Sequence, residues 1–155
     1  MTDDAGLIRV LFVCVHNSAR SLMAEALLRH RGYGTFAPFS AGTEAGMVNP
    51  LTLRVLSEAG IPIDGLSSKP VQPLVGAQFD YVITVCDPAR EACPHFPGAG
   101  TTLHWTFDDP AAATGSDEDR LPVFRRVLGE ISTQIDDFVP LAIRANAAQQ
   151  AIWAG

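Results

Sequence analysis

The stretch that most constrains this chain is an apolar run, Leu7 to Val13, which closes on Cys14, with Arg20 five residues beyond and a helical pattern after it. The run reads as a buried strand. Strand, turn and helix in that order put a thiol at the C-terminal edge of a sheet, where open α/β sheets bind ligands. A turn of this length curls its N–H groups around one tetrahedral oxyanion, and the helix N-terminus behind it adds partial positive charge. The expected cradle is Val15, His16, Asn17, Ser18, Ala19, Arg20 and Ser21, with Arg20 offering a two-pronged guanidinium. The same field favours thiolate over thiol and makes Cys14 the expected nucleophile. Alone, a Cys-x5-Arg match arises by chance, and a buried cysteine packing at a strand end is the alternative. The strand before it, the helix after it and Ser21 give the match its weight.

Composition narrows the class. The 155 residues are 47% hydrophobic and 18% charged, which suits one globular domain with a full core. The net charge of −6, without a basic stripe, argues against nucleic acid as a partner. The start, Met1-Thr2-Asp3-Asp4, is acidic where a secretory leader is basic, and the apolar run behind it is too short to span a membrane. A cytoplasmic protein without a membrane partner is therefore expected. Three cysteines in a reducing compartment are not a structural disulfide framework.

Taken in order, a first helix is expected from about Ser18 to Arg31, stopped by Gly32. Thr35 to Ser40 reads as a strand, placed at an edge by Pro38, and Ala41-Gly42-Thr43 turns away. Asn49 caps a second helix with Pro50 in its first turn, and Gly60 ends it. Ile61 to Val75 reads as loop with one short helical turn. Phe79 to Val85 is a second buried strand ending in Cys86; 87–100 is loop-rich, and Thr101 to Trp105 is a short strand. A long helix starts near Ser116 or Asp117, with Phe124, Val127, Leu128, Ile131, Ile135 and Phe138 on one face. Pro140 is expected to break or kink it. Residues 1–140 form the expected domain, and 141–155, rich in alanine, either extend the helix or fray. Strands alternating with helices predict an α/β fold, a parallel sheet with helices on both faces.

Two further features carry chemistry. Cys86 sits at the C-terminal end of its strand, on the same sheet edge as Cys14, with Cys93 six residues beyond it. Cys86 is placed to attack an adduct on Cys14, and Cys93 to resolve the disulfide that forms. A zinc site with His95 and His104 or a pair of inert thiols are the alternatives. Asp109, before Pro110, is placed to protonate a leaving oxygen; as an Asx-turn residue it needs no such role.

Cys14-x5-Arg20-Ser21, the Cys86/Cys93 pair and Asp109-Pro110, with Asn17 to Ala26, Ser40-Ala41-Gly42, Val48-Asn49-Pro50 and His104-Trp105-x-Phe107-Asp108-Asp109-Pro110, resemble the thioredoxin-coupled arsenate reductases built on the low-molecular-weight protein tyrosine phosphatase fold. The resemblance covers roughly residues 8 to 139. It implies a four-stranded parallel sheet in the order 2-1-3-4. It implies arsenate in the Cys14–Arg20 loop, with phosphate or sulfate as competing oxyanions, attack by Cys14 and protonation by Asp109. Cys86 then displaces arsenite, Cys93 resolves the Cys14–Cys86 disulfide, and thioredoxin reduces Cys86–Cys93. Ser21 is the implied hydrogen-bond partner of the Cys14 thiolate. The electrons come from thiols, so no cofactor and no metal is implied. Hydrolysis of phosphate monoesters through Cys14 and Asp109 alone is the alternative activity.

The chain departs from this pattern in four places. His16 stands where many relatives have Gly, and Ala19 where a second loop cysteine is common. Some relatives bind a monovalent cation beneath the loop. Asn17, Glu25 and Ser40 match that site, but Lys69 stands at its acidic position, so its ammonium is expected to replace the cation and pair with Glu25. Ala111 and Ala112 follow Asp109-Pro110 where phosphatase relatives carry aromatic residues, which argues against phosphotyrosine as the main substrate.

Overall fold

The structure, a computed structural model, describes residues 6–85 and 99–154. Among the described residues are four strands, β1 (Ile8–Cys14), β2 (Phe36–Gly42), β3 (Phe79–Thr84) and β4 (Ala99–His104), and three α-helices, α1 (Arg20–Arg31), α2 (Pro50–Glu58) and α3 (Asp117–Ala154). The strands form one parallel sheet in the order β2-β1-β3-β4. This is the expected 2-1-3-4 order, and Pro38 lies on an edge strand, where a missing N–H is tolerated. Register aligns Cys14 with Gly42, Val13 with Thr84 and Thr84 with His104, so the strand ends that carry the candidate chemistry share one edge.

Alternation along β1 builds two cores. Ile8, Val10 and Phe12 face the apolar sides of all three α-helices. Leu11 and Val13 face Ala41, Val71, Phe79 and Val82 on the other side. Among the described residues that second face is covered by the 3-10 turn Gln72–Leu74 and its flanks. Among the described residues, the expectation of helices on both faces is met there by a 3-10 turn.

Local signals account for most helix ends. Asn49 Oδ1 accepts from Leu51 N–H at 2.9 Å with Pro50 in the first turn, and Gly60, at φ +76°, follows α2 in the left-handed conformation that glycine favours. Ser116 and Asp119 cap α3 reciprocally: Asp119 Oδ2 accepts from Ser116 N–H at 3.0 Å, and Ser116 Oγ from Asp119 N–H at 3.3 Å. Gly32 ends α1 for a different reason. Its φ of −103° suits any residue, but a Cβ would lie 2.5 Å from the Phe36 ring.

Three boundaries differ from expectation. α1 begins at Arg20, two residues late, because Ser18 and Ala19 belong to the loop before it. Ala41 and Gly42 continue β2 instead of turning away, because Gly42 pairs with Cys14. Pro140 does not break α3, which runs on to Ala154 and buries Ala142. Pro140 and Asp136, whose carbonyl loses its donor, are both exposed residues.

Phe138 joins α3 to the sheet through ring contacts with Phe36 at 6.0 Å, Tyr81 at 5.0 Å and Trp105 at 5.5 Å. Burial pushes the Tyr81 phenol above its ordinary value, with Asp80 adding to the shift. At the sheet's functional edge, Gly42 N–H donates to Lys69 O at 2.8 Å, and Val71 N–H donates to Gly42 O at 3.0 Å. A Cβ on Gly42 would lie 2.5 Å from Val15 O and 2.8 Å from Asn17 N, so glycine alone lets β2 approach the turn after β1.

Phe138→Ala is expected to lower the unfolding free energy by about 3–5 kcal/mol, read as a shifted urea midpoint with an unchanged slope. Gly42→Ala drives a methyl into backbone; it is expected to cost about 1–3 kcal/mol, read as a lowered Tm.

Candidate active site

Cys14, 3% exposed, ends β1. Its Sγ accepts from Asn17 N–H at 3.2 Å and lies 2.9 Å from Ser21 Oγ. Asn17 Nδ2 donates to that same Oγ at 2.7 Å, so the Ser21 hydroxyl hydrogen is free to be given to the sulfur. Two donors thus converge on one sulfur. Asn17 reaches this geometry at φ +49°, the one positive φ of a non-glycine among the described residues. Asparagine tolerates that region, and Asn17 is held in it by Lys69 N–H, which donates to its Oδ1 at 2.8 Å.

The turn's carbonyls are drawn outward. Cys14 O accepts from Thr43 N–H at 3.2 Å and Val15 O from Glu44 N–H at 2.7 Å. His16 O accepts from Ser68 Oγ at 3.0 Å, and Ser18 O from Asn49 N–H at 3.0 Å and Thr52 Oγ1 at 2.9 Å. In a trans peptide the N–H points opposite to the C=O. The N–H groups of Val15, His16, Asn17 and Ala19 therefore turn inward, as the Asn17 bond to Cys14 Sγ shows directly. Ala19 caps α1 without a side-chain hydrogen bond, and no acid occupies the first turn, so the helix's own donors also serve this space.

Arg20 is 3% exposed. Nη1 donates to Val85 O and Phe107 O, both at 3.3 Å, and Nη2 lies 3.6 Å from Asp109 Oδ2. Asp109 takes the expected turn role. Oδ1 accepts from Ala111 N–H at 3.0 Å, capping the 3-10 turn Pro110–Ala112, while Oδ2 faces Arg20. The loop is tied to α3 by Arg126, which bonds Asp108 at 3.1 Å and Glu130 at 2.9 Å. Those two partners, Glu130 foremost, hold the Arg126 guanidinium above its ordinary value.

Below the loop lies Glu25, 3% exposed. Its carboxylate takes the Ser40 hydroxyl at 2.5 Å, pairs with Arg29 and lies 3.5 Å from Lys69 Nζ. The expected Lys69–Glu25 pair is present. Arg29, one helical turn from Glu25, was legible from its i,i+4 spacing and is a partner that sequence reasoning missed. Among the described residues no three His, Cys, Asp or Glu side chains gather around a possible metal position. His104 Nδ1 instead meets Thr84 Oγ1. Cys86, Cys93 and His95 lie outside the described residues. The carbonyls of Val85 and Phe107 and the straps at 43–52 and 68–69 were also missed, since backbone partners leave no mark in residue type.

No helix among the described residues is long and apolar enough to cross a membrane. An arsenate reductase of Halalkalibacterium halodurans is 39% identical over 129 residues, 83% of this chain and 93% of that protein. A solved arsenate reductase in the phosphate binding state superposes with a TM-score of 0.74 at 30% identity, covering 86% of this chain and 98% of that one. A thioredoxin-dependent arsenate reductase of Corynebacterium glutamicum superposes at 0.68 and 29% identity, covering 95% of this chain and 65% of that one. The sequence profile of the low molecular weight phosphotyrosine protein phosphatases matches residues 9–150, and with a buried Cys14 inside an inward-facing ring of amides the chain belongs to that family.

Proposed function

We propose that this chain reduces arsenate to arsenite by a three-cysteine relay and is recycled by thioredoxin in the cytoplasm. The observation that carries the reading is Cys14 Sγ between two donors, under amides turned inward, with Arg20 reaching Asp109. The similarity to arsenate reductases supports the substrate, and the similarity to a thioredoxin-dependent one supports the reductant.

Arsenate takes the place offered by the N–H groups of residues 15–21. Cys14 attacks arsenic, and Asp109 protonates the departing oxygen, giving a Cys14–S–As(V) adduct and water. Cys86 attacks the Cys14 sulfur. The S–As bond breaks with its electron pair going to arsenic, so arsenite leaves and Cys14–Cys86 forms. Cys93 attacks Cys86, which frees Cys14 as thiolate and leaves Cys86–Cys93 for a dithiol reductant. A phosphate-type cradle barely separates arsenate from phosphate, but only arsenate yields usefully to reduction by thiols. Hydrolysis of phosphate monoesters is the second reading. It needs only Cys14, Arg20 and Asp109, whose arrangement and family favour it, and it does not use the Cys86/Cys93 pair.

In an assay with arsenate, thioredoxin and thioredoxin reductase, the wild type is expected to consume NADPH continuously, and Cys93→Ser to stop after a single event. Arsenate-independent behaviour in the wild type, with aryl phosphate hydrolysis that survives Cys93→Ser, selects the second reading. Because Lys69 and Arg29 already meet the Glu25 carboxylate, the same rate is expected in potassium and sodium buffers of equal ionic strength; clear stimulation by potassium refutes replacement of the cation by Lys69.

A further inference from the structure

We propose that the imidazole of His16 is a positioning residue for the oxyanion loop, clasping Glu44 through Nδ1–H so that the His16 amide stays turned into the cradle. This deepens the oxyanion reading given above and rests on it.

His16 Nδ1 lies 3.2 Å from the Glu44 carbonyl oxygen. A carbonyl only accepts, so Nδ1 carries the hydrogen, which selects one tautomer of the neutral ring. In the other direction, Glu44 N–H donates to Val15 O at 2.7 Å. The two bonds join residues 15 and 16 to a single residue of the neighbouring strap, once through the backbone and once through the ring. Either bond alone lets the Val15–His16 peptide rotate about it. Together they fix the plane of that peptide, and its N–H lies opposite the Val15 carbonyl, on the cradle side.

The rest of the strap supports this arrangement. Ser68 Oγ donates to His16 O at 3.0 Å, and Gly46 N–H donates to the same oxygen at 3.4 Å. Gly46 N–H also reaches Ser68 Oγ at 3.1 Å, so residues 44, 46 and 68 form one connected support around His16. The ring is exposed and belongs to neither core, so its packing does not explain the residue. Both the neutral Nδ1–H ring and the imidazolium can donate to Glu44 O. The clasp therefore differs from a charge effect at the mouth of the cradle, which would need the imidazolium. Pre-organised donors gain their strength from being held in place before the anion arrives.

Three variants separate the possibilities. His16→Asn puts an uncharged N–H donor near the position of Nδ1, His16→Gln puts it near Nε2, and His16→Ala removes it. Binding of inorganic phosphate by calorimetry and arsenate-dependent turnover with thioredoxin are the readouts. For His16→Ala, the phosphate Kd is expected to rise about tenfold, less than the hundredfold or more lost when an oxyanion donor is deleted outright, with kcat/KM for arsenate falling at least as far. His16→Asn is expected to recover most of both losses and His16→Gln little. Unchanged binding in His16→Ala, or recovery by Gln equal to that by Asn, overturns the clasp. A long-range proton–nitrogen correlation spectrum of the wild-type imidazole tests it without any variant: protonated Nδ1 is expected, and an Nε2–H neutral tautomer overturns it. A wild type that binds neither phosphate nor arsenate refutes the oxyanion reading itself, whatever the ring spectrum shows.

Discussion

The site depends on hydrogen bonds made on its outside. The carbonyls of Cys14, Val15, His16 and Ser18 are held by Thr43, Glu44, Ser68, Asn49 and Thr52. Peptide planarity turns that outward pull into an inward array of N–H groups. An isolated turn would lose such an array to solvent and to chain entropy. Here the donors come from the end of β2, the start of α2 and the strap before the second 3-10-covered face, all brought beside β1 by parallel pairing. Gly42 is where the two layers touch, since a side chain at that point would occupy the space of Val15 O and Asn17 N.

The same packing buries charge. Glu25 sits on the fully buried part of α1, where an unpaired carboxylate would cost several kcal/mol. Ser40 from β2, Arg29 one helical turn on and Lys69 from the strap share that cost among three partners. Lys69 serves twice, because its N–H fixes Asn17 Oδ1 while its ammonium faces Glu25. The strained turn at Asn17 is thus linked to the buried carboxylate through a single residue.

Across the sheet edge, Arg20 links the first half of the chain to the second. Its guanidinium bridges the carbonyls of Val85 and Phe107 and approaches Asp109, which brings the Cys14 loop and the candidate acid within one side chain of each other. Arg126 anchors the neighbouring Asp108 to α3. The two charged contacts differ in kind. Arg20 is buried and its bonds act in a low-dielectric setting, whereas Arg126 is half exposed and solvent screens it.

Periodicity and local capping made the architecture legible: β1 and β3 as apolar runs, Asn49-Pro50 as a helix start, Pro38 as an edge marker and the Phe124-to-Phe138 stripe as the packed face of α3. Cys14, Arg20 and Ser21 were legible because residue type and spacing carry their chemistry. These depend on neighbours within a few residues, so the sequence by itself determined the strand-turn-helix and marked Cys14 as the candidate nucleophile, while the 2-1-3-4 order was carried by the family resemblance. Other features depend on residues distant in the chain, and only the tertiary structure decided them. These are the outward hold on the loop carbonyls, Arg20 across Val85 and Phe107, the ring of His16 on Glu44, and a helix that passes Pro140 where that residue and Asp136 are exposed. Each joins a backbone group to a residue tens of positions away or turns on which side meets solvent, and neither is written in local residue type.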